Sequence, residues 1–61
     1  MNKSFLILTG GTGGHVIPAV NFGNYLIENS IICKIVTDKR GLKYTTGFNG
    51  EVFNVKSSHL S

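Results

Sequence analysis

The sequence predicts an α/β fold of the doubly wound kind, and three observations carry that prediction. Short runs rich in apolar and β-branched residues alternate with one stretch of helical periodicity. A cluster of four glycines in five positions joins the first run to that stretch, and the segments follow the order strand, glycine loop, helix, strand, short helix, strand. A strand, a crossover helix and a second strand in that order form the right-handed unit of a parallel sheet.

The first element is Ser4-Phe5-Leu6-Ile7-Leu8-Thr9, a nearly continuous apolar run ending at glycine. A strand buried on both faces of a parallel sheet reads this way. Gly10-Gly11-Thr12-Gly13-Gly14 is expected to be a loop, because glycine loses the most chain entropy when fixed in a helix or strand. Ala19, Phe22, Gly23, Leu26 and Ile27 then recur at the three-and-four spacing of one helix face, with Asn21, Asn24 and Glu28 on the other. The helix is expected to run from His15 or Pro18 to Asn29, with Pro18 in its first turn and Asn29-Ser30 as its stop. Ile31 to Thr37 is β-branched and ends at the polar turn Asp38-Lys39-Arg40-Gly41, which marks a second strand. Leu42 to Phe48 is assigned a short helical turn, although Thr45, Thr46 and Gly47 are poor helix formers. Glu51 to Val55 alternates as a third strand, and Lys56 to Ser61 is a polar tail without an element.

The chain has 61 residues and a single cysteine. A domain of this size buries only about 60% of the surface its unfolded chain exposes, and no disulfide framework is available to compensate. Three strands and one good helix make half of a nucleotide-binding domain, so the expectation is a truncated piece of a larger protein. The opening residues do not form a secretory signal, since their apolar stretch breaks at Gly10, and a reducing, cytoplasmic setting is expected. The longest uninterrupted apolar run, Phe5 to Leu8, is far short of the roughly 20 residues that cross a bilayer. The net charge of +3 suits phosphate-bearing ligands or an anionic membrane surface. The basic residues are scattered, which argues against nucleic acid as a partner.

The six aromatic residues, Phe5, Phe22, Tyr25, Tyr44, Phe48 and Phe53, share no surface pattern and are read as core or helix-packing groups. Cys33 is read as a small buried hydrophobe with no activating neighbour. His59 has no partner at metal spacing, and the absence of paired carboxylates leaves no expected metal site.

The chemistry is concentrated in the glycine loop. A strand running into Gly10-Gly11-Thr12-Gly13-Gly14-His15 and then into a helix presents unbonded amides and the positive end of the helix dipole at the carboxyl edge of the sheet. Glycines let that backbone approach phosphate oxygens closely, and Thr12 adds a hydroxyl. The alternative is a merely tight strand-to-helix turn. A Walker A loop is excluded because no lysine lies between Lys3 and Lys34. The dinucleotide fingerprint laid on Gly11 and Gly13 places Val16 where its third glycine belongs, and laid on Gly10 it meets Thr12. Asp38 or Arg40, just past the second strand, is a possible ribose or 2′-phosphate contact, which keeps an NADP-dependent oxidoreductase as the alternative reading.

The string Gly10-Gly11-Thr12-Gly13-Gly14-His15-Val16-Ile17-Pro18-Ala19 is similar to the signature of the MurG family of glycosyltransferases. Thr37-Asp38-Lys39-Arg40-Gly41-Leu42 looks like a second segment of that family at the right spacing. The resemblance spans residues 4–55. After Leu42 the chain departs from the family's usual continuation, with Lys43-Tyr44-Thr45-Thr46-Gly47-Phe48.

The resemblance implies a two-domain GT-B transferase whose amino-terminal Rossmann-like domain faces the lipid acceptor. Residues 1–61 would be the first part of that domain, and the carboxyl-terminal donor domain would lie outside them. The family moves N-acetylglucosamine from UDP-N-acetylglucosamine, with inversion, to the 4-hydroxyl of the muramoyl sugar on an undecaprenyl-diphosphate-linked peptide. It does so at the cytoplasmic face of the bacterial inner membrane, without metal or cofactor. By position, Gly11, Thr12, Gly13 and Gly14 would bind substrate, and His15 would sit at the cleft floor beside the reacting groups as the catalytic base, the alternatives being a hydrogen-bond donor to ligand or a helix-start packing residue. A histidine at a helix start suits proton acceptance, and backbone amides suit stabilisation of a departing diphosphate. The short chain by itself is expected to be inactive. A third reading, a stand-alone anion-binding module, explains the length but requires a self-sufficient core that the composition does not provide.

Overall fold

The computed structural model describes residues 3–56. Within them the order is β1 (Ser4–Leu8), α1 (Gly13–Glu28), β2 (Ile32–Asp38), a 3-10 turn (Leu42–Tyr44) and β3 (Glu51–Val55). The strands form one parallel sheet in the order β1-β2-β3. The α/β class and the element order are those expected from the sequence.

Register fixes which residues share a face. Phe5 pairs with Cys33 and Ile7 with Ile35, while Ile35 pairs with Val52, so these side chains project toward α1. Val16, Val20 and Leu26 of α1 meet Cys33, Ile35 and Phe48 there to form the core, with Val16 and Ile35 fully buried. Phe5 and Phe22 add an edge-to-face aromatic pair with centroids 6.4 Å apart at the rim. The other face carries Leu6, Leu8, Ile32 and Phe53, all substantially exposed. Lys34 lies among them, 3.3 Å from Glu51 and with its ammonium 5.8 Å from the Phe53 ring centroid. Among the described residues the sheet is thus covered on one side only. The apolar run of β1 reads as doubly buried, but Leu6 and Leu8 face open space.

The helix departs from its expected limits in three ways, each with a local cause. It starts at Gly13, so Gly13 and Gly14 are helical rather than part of the loop; the carbonyl of Thr12 already accepts the amides of His15 at 3.0 Å and Val16 at 2.9 Å. The entropic handicap of glycine is smallest at a helix end, where the chain is least constrained. Pro18 consequently lies in the second turn, where its missing N–H leaves the carbonyl of Gly14 without the usual partner four residues on. The buried face is Val16, Val20, Gly23 and Leu26, rotated slightly from the predicted stripe, so that Phe22 is half exposed.

The end of α1 matches the Asn29-Ser30 stop. Ser30 takes the left-handed conformation at φ 65°, its amide reaches Ile27 O at 3.0 Å, and the amide of Ile31 reaches Leu26 O at 3.0 Å. This is the Schellman closure with serine where glycine is usual. Mid-helix, Gly23 makes room for a ring: a Cβ there would stand 2.5 Å from Phe48 Cε1. Asn24 then ties the β2–β3 connection to the helix, donating to Gly47 O at 2.9 Å and accepting from the Asn49 amide at 2.9 Å. The short helical turn expected within Leu42 to Phe48 is present but covers only Leu42–Tyr44. The second strand is shifted by one residue at each end relative to expectation, to Ile32–Asp38.

Candidate functional site

The carboxyl ends of the strands and the start of α1 converge on the glycine loop. Thr9 is the last anchored residue, its amide donating to Val36 O at 3.0 Å. Beyond it, none of the amides of Gly10, Gly11, Thr12, Gly13 and Gly14 donates to an acceptor among the described residues. All five residues are partly or fully exposed. No acidic side chain occupies the first turn of α1, so none of the helix's own first residues offsets the positive end of its dipole.

Each glycine has a different reason to be one. A Cβ on Gly11 would collide with the Asp38 carboxylate and stand 2.8 Å from Arg40 Nε. On Gly13 it would press within 3.0 Å of the Tyr44 ring. Gly11 and Gly13 are therefore explained by packing against the β2–β3 segment. Gly10 has nothing within 4 Å, and Gly14 meets only Thr12 Oγ1 at 3.9 Å. The protein itself leaves their space open.

Asp38 and Arg40 brace the loop from behind. Asp38 is 1% exposed and accepts from Arg40 Nη2 at 2.9 Å, from Arg40 Nε at 3.3 Å and from the Gly41 amide at 3.0 Å. These bonds, the one from Arg40 first, hold its carboxyl below the ordinary carboxylate range against the opposing effect of burial. Because the folded-state value is depressed, the ionised form stabilises the fold above the ordinary carboxylate range, and this contribution disappears as pH falls through the depressed value. Asp38→Asn is expected to lower the unfolding temperature near neutral pH, with the gap to the parent closing in acid. Thermal unfolding of both proteins across pH checks this, and a gap that stays constant would remove the carboxylate from the account. In the sequence Asp38 and Arg40 belong to a polar turn and to the second family-like segment, and offer a ribose or 2′-phosphate contact. Their mutual bonds show a structural pair, and the Asp-x-Arg-Gly spacing at a strand end was the available signal.

His15 is exposed, in the first turn of α1, and its Nδ1 lies 2.9 Å from Thr12 Oγ1. The ring borders an open cleft of about 570 Å³ whose walls include Leu8, Thr9, Gly10 and Pro18. Loop, hydroxyl and imidazole thus share one edge of the sheet. A second cavity, about 260 Å³, lies on the far side of the Asp38-Arg40 pair, against Asn54 and Lys56. Another cavity, about 640 Å³, lies at the opposite end of the sheet near Ile27, Cys33 and Gly50, remote from these groups. Burial pushes the Cys33 thiol up, which suits a packed hydrophobe rather than a nucleophile. Among the described residues no three His, Cys, Asp or Glu side chains gather to hold a metal, and no helix is long and apolar enough to cross a membrane. His59 lies outside the described residues.

The loop and its brace coincide with a known sequence family. Residues 5–53 match the glycosyltransferase family 28 N-terminal domain. The chain belongs to this family. It is 42% identical over 56 residues to the UDP-N-acetylglucosamine--N-acetylmuramyl-(pentapeptide) pyrophosphoryl-undecaprenol N-acetylglucosamine transferase of Bradyrhizobium diazoefficiens, covering 92% of this chain and 15% of that protein. The transferase of the same name from Pelagibacter ubique is 43% identical over 58 residues, covering 92% and 16%. That from Rickettsia felis is 38% identical over 53 residues, covering 87% and 15%. The chain therefore spans about one sixth or less of the length of these relatives. No solved structure matches it. The resemblance to the MurG family is borne out, as is the assignment to a glycosyltransferase family, and the oxidoreductase alternative falls with it.

Proposed function

We propose that the full-length polypeptide carrying this segment transfers N-acetylglucosamine from UDP-N-acetylglucosamine to the undecaprenyl-diphosphate-linked muramoyl pentapeptide. The family supports this reading, as do the names of relatives at about 40% identity. The observation that carries it is the row of five open amides, Gly10 to Gly14, beside the exposed imidazole of His15. Residues 1–61 form the first part of the acceptor-side Rossmann-like domain, and the donor domain is contributed by other parts of the polypeptide. The enzyme works at the cytoplasmic face of the inner membrane, peripherally, where its lipid substrate resides and where a mild positive charge favours an anionic surface. It uses no metal or cofactor.

In this mechanism the backbone of Gly11, Thr12, Gly13 and Gly14 binds substrate, its amides and the helix dipole neutralising diphosphate charge. His15 accepts the proton of the acceptor's 4-hydroxyl as that oxygen bonds to C1 of the donor sugar. The bond from C1 to the β-phosphate oxygen breaks, UDP leaves with the electron pair, and the anomeric configuration inverts. The expected result is sugar transfer by the full-length polypeptide from labelled UDP-N-acetylglucosamine to a lipid-diphosphate muramoyl acceptor. A folded polypeptide that transfers nothing, and binds NADPH instead, would overturn the reading.

A further inference from the structure

The hydroxyl of Thr12 does not do what a helix-initiating threonine usually does. Thr12 has the extended backbone of an N-cap, φ −107° and ψ 148°, yet its side chain makes no capping bond. An N-cap hydroxyl ordinarily accepts the amide of the second or third helical residue. Here Oγ1 turns instead to the ring of the third helical residue, 2.9 Å from His15 Nδ1. The arrangement leaves the first amides of α1 free and commits one of the two imidazole nitrogens.

A neutral imidazole carries one proton, and the nitrogen that holds it decides whether the other can act as an acceptor. If Thr12 donated its hydroxyl to Nδ1, the proton would sit on Nε2 and His15 would meet a ligand as a donor. If Thr12 accepts, Nδ1 holds the proton and Nε2 presents a lone pair. When Nε2 takes a proton the ring becomes a donor at both nitrogens, and only an acceptor at Nδ1 remains a partner through that change. The hydroxyl oxygen can be that partner before and after.

We propose that Thr12 is a positioning residue for His15: its Oγ1 accepts the Nδ1 proton, holding the ring in the tautomer whose Nε2 lone pair is available at the cleft. The inference rests on the reading of His15 as the base. In the full-length polypeptide, Thr12→Val keeps the shape and removes the hydroxyl, while Thr12→Ser keeps the hydroxyl. Thr12→Val is expected to lower kcat roughly 10-fold, by analogy with the lower end of what orienting hydrogen-bond partners of metal-bound imidazoles contribute, with each KM within about 2-fold of the parent. Thr12→Ser is expected to recover most of kcat. In protein labelled with ¹⁵N histidine, His15 of the parent is expected to show a protonated Nδ1 and an unprotonated Nε2, a pattern that Thr12→Val weakens. A parent with the proton on Nε2, alongside loss of transfer in His15→Ala, overturns the positioning role alone. A Thr12→Val variant with unchanged kcat and a raised KM also overturns it, because Thr12 would then contact substrate directly. Retention of transfer in His15→Ala overturns the base reading beneath it.

Discussion

His15→Ala in the full-length polypeptide is expected to reduce kcat by about 10²- to 10⁴-fold, the range that a positioned general base contributes, while KM for either substrate changes little. The split follows from the geometry. The imidazole is exposed and borders the cleft, so its removal leaves in place the five loop amides to which the proposed mechanism assigns the diphosphate. An interaction made mainly in the transition state lowers kcat and kcat/KM together when it is lost. The fold is expected to survive, because His15 is exposed and its side-chain hydrogen bond is to Thr12, itself exposed. Steady-state transfer kinetics against both substrates, with thermal unfolding as a control, measures each part. A variant that keeps kcat but raises KM would recast His15 as a ligand-binding donor.

Much of the fold was legible because the local signals agree with one another. β-Branched runs, a single helical stripe and turn residues at each junction all point to a parallel sheet with a crossover helix, and three strands and α1 form where those signals lie. The errors come from interactions that sequence spacing does not encode. The buried face of α1 centres on Val16 and Val20 because the ring of Phe48, distant in sequence, sits on Gly23 and sets the helix rotation. Gly13 and Gly14 enter the helix because the carbonyl of Thr12 captures two amides at once, which composition alone does not reveal.

The candidate site was legible as a string but not as an arrangement. The letters place Thr12 and His15 three residues apart, which on a helix start brings them together, yet only in the folded chain is the hydroxyl seen turned from the backbone to the ring. Asp38 and Arg40 pointed to a ligand contact when read along the chain. In space the pair closes on itself and packs against Gly11, which makes it a support for the loop.

Gly14→Ala separates a ligand-binding loop from a tight turn because the two readings predict the same gain in stability but different kinetics for the same methyl group. Gly14 is helical, does not have positive φ, and a Cβ there meets only Thr12 Oγ1 at an ordinary 3.9 Å. Alanine should therefore be tolerated and stabilise the fold by about 0.4–1 kcal/mol, through a less flexible unfolded chain. If the loop amides receive a diphosphate, the same methyl group stands where phosphate oxygens approach. Loss of one hydrogen bond to a charged group, about 1.5–3 kcal/mol, corresponds to a KM raised on the order of 10- to 100-fold for the diphosphate-bearing substrate. The expected variant is more stable and a poorer enzyme. Gly11→Ala cannot make this distinction, since its methyl would displace Asp38 and Arg40 and disturb fold and site together. Gly14→Ala with raised stability and unchanged kinetics would mean that no ligand approaches the backbone there, leaving the glycines to the geometry of the strand-to-helix turn.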